Sequence, residues 1–119
     1  MSSHQERRLE RIRSELQSAY TLLVQIGSSN TLAGKKLDLW RARCRLELAI
    51  LLIKISSGID YEDRRARYTA EGRPQNIIAK VQEFVADALN STGTTNVYEV
   101  LEKVRRARDL LWMLESKNP

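Results

Sequence analysis

One histidine, one cysteine, two prolines and five glycines are all that this 119-residue chain holds of those types, and each scarcity removes a class of answer. With Cys44 alone no internal disulfide can form, and a single thiol inside an apolar repeat has no companions for a metal site. A reducing, cytoplasmic setting is the expectation. The lone His4 lies in a terminal stretch with no nucleophile spaced against it, so histidine-dependent hydrolysis, nuclease chemistry and zinc binding are not expected. Few prolines and glycines leave too few turn formers for an all-β fold. Long apolar runs are missing as well: Leu46 to Ile55 is broken by Glu47 and Lys54 and is too short to span a bilayer. The opening Met-Ser-Ser-His-Gln-Glu-Arg-Arg lacks the apolar stretch of a secretion signal. Gly34-Lys35-Lys36 has neither the upstream glycine nor the preceding strand of a phosphate-binding loop. No two carboxylates pair inside an apolar segment where burial would raise a pKa. A non-enzymatic protein without cofactor, metal, membrane or small-molecule substrate is expected.

Arginine is what the chain has in plenty: fourteen, against six lysines, with a formal net charge of +5. Thirteen of them fall in four clusters, Arg7/Arg8/Arg11/Arg13, Arg41/Arg43/Arg45, Arg64/Arg65/Arg67 and Arg105/Arg106/Arg108. A planar guanidinium forks onto phosphate oxygens and stacks on flat rings, so this preference favours a polyanion-binding or interface-forming surface. The excess is local. Residues 31–58 hold six basic side chains against two acidic ones, a field that attracts nucleic acid but is weaker than a DNA-compacting protein needs.

The length suits one domain spanning residues 1–119 with one core, and the apolar spacing predicts an all-α bundle of four long helices plus one short connecting helix. Leu9, Ile12, Leu16, Ala19, Leu23 and Ile26 alternate steps of three and four, predicting a helix over 5–26 that Gly27 ends. Its arginines interleave with Glu6, Glu10 and Glu15, giving pairs such as Arg11 with Glu15 on a solvated face. A second helix is expected over 32–56, capped by Ser29, Asn30 or Thr31 and stopped by Gly58. At about 100° per residue, Leu37, Trp40, Cys44, Leu48, Leu51 and Ile55 share one of its faces, and Leu39, Ala42, Leu46, Ala49 and Ile53 share another. Two apolar faces call for two sets of neighbours. The remaining strip holds Lys36, Arg43, Glu47, Ile50 and Lys54. Arg41 and Arg45 project into the wedge between the faces, so half-burial is expected for them, with either an internal carboxylate or an external phosphate or protein as partner.

Residues 59–76 mix charge and tyrosine most densely. Asp60 can cap a short helix over 61–70, with Gly72 and Pro74 following. On such a helix Tyr61, Arg64 or Arg65, and Tyr68 line one side, an arrangement that stacks and forks onto single-stranded nucleic acid; a charged connector with its tyrosines packed on the bundle is the competing reading. A helix over 75–90 presents Ile77, Val81, Phe84 and Ala88 and carries little charge. After the polar loop at 91–95, Asn96 with Glu99 forms a capping-box pattern, and Val97, Val100, Val104, Ala107, Leu111 and Leu114 define the last helix. Tyr98, Leu101, Arg105 and Trp112 share its flank. Glu102 with Arg106 and Arg105 with Asp109 are i, i+4 pairs, and Trp112 and Met113 cannot both face the core.

The arginine-led helix Arg41 to Ile55, the run Tyr68-Thr-Ala-Glu-Gly72-Arg73 and the closing helix Tyr98 to Trp112 give the chain a resemblance to the small helical subunit of multisubunit RNA-guided CRISPR effector complexes. That resemblance implies a filament-lining subunit in antiviral defence, without nuclease activity, with Arg41, Arg43, Arg45, Arg64, Arg65 and Arg73 as strand contacts. The sequence-level function is therefore a non-enzymatic assembly subunit contacting single-stranded RNA or an RNA-containing duplex. Its candidate contacts are Arg41, Arg43, Arg45, Arg64, Arg65, Arg67, Arg73, Arg105, Tyr61 and Tyr68. The alternative is a helical protein-interaction module or homodimer, bound to other subunits or to itself, whose arginines serve internal ion pairs.

Overall fold

In the computed structural model, residues 3–29, 31–59, 66–93 and 96–117 are described. They form four helices, α1 (Ser3–Gly27), α2 (Lys36–Ser57), α3 (Pro74–Ser91) and α4 (Val97–Lys117), with no strand among them. On α1, α3 and α4 the three-four apolar repeats lie on one side, and that side is buried: Ile12, Leu16, Ala19, Leu23 and Ile26 of α1, Ile77, Ile78, Val81, Val85 and Ala88 of α3, and Val100, Leu101, Val104, Ala107, Leu110, Leu111 and Leu114 of α4. Together with one face of α2 they make a single core. Each fully buried leucine or isoleucine contributes about 1.5–3 kcal/mol.

Each helix packs on two others: α1 on α2 and α3, and α4 on α2 and α3. The helices therefore follow one another round the bundle as α1, α2, α4, α3, with α2 and α3 on a diagonal. Neighbours run antiparallel. Ser56 and Ser57 at the end of α2 line a cleft with Leu9 near the start of α1, Arg43 near the start of α2 meets Glu115 near the end of α4, and Arg13 in the first half of α1 bonds the Thr92 carbonyl just past the end of α3 at 3.0 Å. It follows that α2 and α3 are parallel, so the segment between them must return along the length of the bundle, as in bundles with a long crossover.

That geometry explains a correction. The short fifth helix expected over 61–70 is not formed in its described part, because residues 66–73 are non-helical; residues 60–65 lie outside the described residues. The crossover has to span α2, about 33 Å at 1.5 Å per residue. Sixteen extended residues reach about 50 Å, whereas winding ten of them into a helix would leave about 35 Å and almost no slack. The described part of the crossover instead lies against α4, where the Tyr68 amide bonds Asp109 Oδ2 at 3.1 Å and the Tyr68 ring meets Phe84 of α3 edge-on at 5.8 Å.

Helix ends follow local chemistry. Gly58 ends α2 in the left-handed region at φ 64°, and the Ile59 amide returns to the Lys54 carbonyl, as a glycine cap does. The start of α2 is four residues later than expected. Thr31 Oγ1 accepts from the Ala33 amide and Gly34 takes φ 76°, so residues 31–35 form a turn that tucks Leu32 into the core. Asn96 caps α4 as expected, its Oδ1 accepting the Tyr98 amide at 2.9 Å. Gly27 lies within α1, where a Cβ would come 2.6 Å from Gln82 Nε2.

Candidate functional site

The arginines were the sequence's leading candidates, and most of those described are engaged within the chain. Arg43 Nε donates to Glu115 Oε2 at 2.5 Å and its Nη1 to Glu47 at 3.1 Å. The bond to Glu115, opposed by burial, raises the Arg43 pKa further above its ordinary value. Arg45 pairs with Glu15 at 3.1 Å, and Arg41 with Asp38 at a looser 3.8 Å. Arg105 forks onto Glu102 at 2.7 and 3.0 Å and reaches Asp109 at 3.1 Å. Arg106 joins the same Glu102, so both expected i, i+4 pairs of α4 form. Hydrogen bonding from Arg105, the largest influence, holds the Glu102 carboxyl below the usual carboxylate range against the opposing effect of burial.

Asp109 is the hub of this region. Its side chain is fully buried and accepts from Arg105, from Arg108 Nε and Nη2, and from the Tyr68 amide. A buried carboxylate is tolerable only with such a set of donors, and no buried side-chain nitrogen or oxygen among the described residues lacks a partner. Beside the hub, Arg67 lies 3.2 Å and Arg43 5.1 Å from the Trp112 ring centroid, and Arg106 stands 5.1 Å from the Tyr68 ring. These are cation–π contacts. The structure thus gathers Arg43, Arg67, Tyr68 and Arg105 along α4, leaves Arg41, Arg45 and Arg73 elsewhere, and does not describe Tyr61, Arg64 and Arg65. Arg73 is exposed at the N-cap of α3.

The expectation for α2 is corrected in two ways. Arg41 and Arg45, expected half-buried in the wedge, are half exposed at 56% and 51%, and it is Arg43 on the supposed residual strip, only 15% exposed, that lies deepest of the three. Ile50 of that strip is buried too. The cause is that α1 and α4 cover the face of Leu39, Ala42, Leu46, Ala49 and Ile53 and the arc leading through Ile50 and Arg43. No described helix closes the wedge on the other side. Of the two apolar faces, the second set of neighbours is missing among the described residues: Leu37 is 55% exposed, Trp40 47%, Leu51 52% and Ile55 62%, with Cys44 and Leu48 half-buried between them.

These six side chains step by three, four, four, three and four residues, so the stripe advances at about 3.6 residues per turn and stays on one side of a straight helix within an arc of about 80°. It points directly away from the core. Val24 and Tyr98, the other large exposed apolar side chains, lie on α1 and α4, and single exposed residues of this kind are ordinary. Four half-exposed side chains in register leave an apolar strip on the order of 400 Å², the size of the largest patch on a typical monomer, which is often functional. Chemically, the strip can bury another apolar surface; it offers no nucleophile beyond Cys44 and no cluster of three or more metal-ligating side chains, since none exists among the described residues. No described helix is long and apolar enough to cross a membrane. Set against known protein families, curated proteins and solved structures, the chain matches none of them, and its function is read from this surface.

Proposed function

We propose that the chain is a helical protein-interaction module that docks through the outward face of α2. The observation that carries this reading is the stripe Leu37, Trp40, Leu51 and Ile55, held about half exposed on the side of α2 opposite the core. Apolar side chains at seam spacing lower the free energy of the system only when another surface covers them. Contact with single-stranded RNA has weaker support. It needs guanidinium groups free to fork onto phosphate, and Arg41, Arg43, Arg45 and Arg105 face carboxylates of the same chain while Arg67 lies on Trp112.

A photoreactive phenylalanine derivative placed in turn at Leu51 and at the exposed Glu83 of α3 tests the reading in an extract of the source cells and in the pure protein. Adducts are expected at position 51, none at position 83, and loss of the adducts when Trp40→Glu is added. Absence of any adduct at position 51, together with a salt-sensitive shift of single-stranded RNA on a gel, overturns it in favour of nucleic-acid contact.

A further inference from the structure

We draw no further inference here: the strongest candidate, the exposed apolar stripe along the outward face of α2, belongs to the site already described, and with Arg41 paired to Asp38 and Arg45 to Glu15 nothing in the structure shows what covers it.

Discussion

The fully buried carboxylate of Asp109 in α4 accepts the main-chain N–H of Tyr68 in the crossover at 3.1 Å, across 41 residues of sequence. The same carboxylate receives Arg105 and Arg108, so it fastens the crossover and balances two cations together. Asp109→Asn is expected to cost about 3 kcal/mol, since it removes from a buried position the charge that Arg105 and Arg108 share. Urea denaturation measures the loss, and hydrogen exchange should show the Tyr68 amide losing protection.

Arg43 and Glu115 join α2 to α4 with side chains 15% and 9% exposed. Arg43→Met or Glu115→Leu alone is expected to cost about 3 kcal/mol, whereas the double substitution should cost much less than the two added together, because an apolar pair of similar volume replaces a buried ion pair with little loss. A double-mutant cycle from chemical denaturation reads the coupling.

The two faces of α2 should respond differently to the same change. Leu46 is fully buried, and Leu46→Ala is expected to cost about 3 kcal/mol through lost burial and a cavity. Leu51 is half exposed, and Leu51→Ala should change stability by no more than about 0.5 kcal/mol. Thermal melts of the purified variants compare them directly.

Acid should loosen α4 through Glu102. Its folded pKa is lowered from the ordinary value of 4.5, so the unfolded chain binds the proton more readily. The stabilising contribution is complete above about pH 4.5 and is lost as the pH falls through the folded pKa. Glu102→Gln should flatten that part of the stability-against-pH curve on the acid side of the ordinary carboxylate pKa relative to the parent chain.

Gly58 closes α2 at φ 64° with open space around the position of a Cβ. Gly58→Ala should therefore cost about 1 kcal/mol from backbone strain alone, seen as a lower urea midpoint with an unchanged slope.

The long helices were legible because their apolar spacing matches the helical period over many turns; α1 and α4 bury the residues that the repeat named except Leu9 and Val97 near their starts, which are half-buried. The cap at Asn96 and the stop at Gly58 were legible for the same reason, each being a local event. What stayed hidden was anything set by the partner of a face. Nothing local in α2 distinguishes the stripe of Leu37 from the stripe of Leu39, since both are apolar and each repeats at helical spacing. Only the positions of α1 and α4 decide which is covered. In the same way Arg105 with Asp109 was visible as an i, i+4 pair, while Arg43 with Glu115, separated by 72 residues, left no trace in spacing. The crossover misled because Asp60, Glu62 and Asp63 satisfy the rules for starting a helix, and the length it must bridge is a property of the whole bundle.

Because α2 and α3 run parallel, the chain divides into two antiparallel hairpins, α1 with α2 and α3 with α4, tied by the crossover alone. Each hairpin is local in sequence, but each leaves half of the shared core bare until it meets the other. A polypeptide severed between Gly58 and Ala66 would keep every described helix whole, and its two fragments should reassemble into a complemented pair, offering a split reporter whose halves signal only when brought side by side.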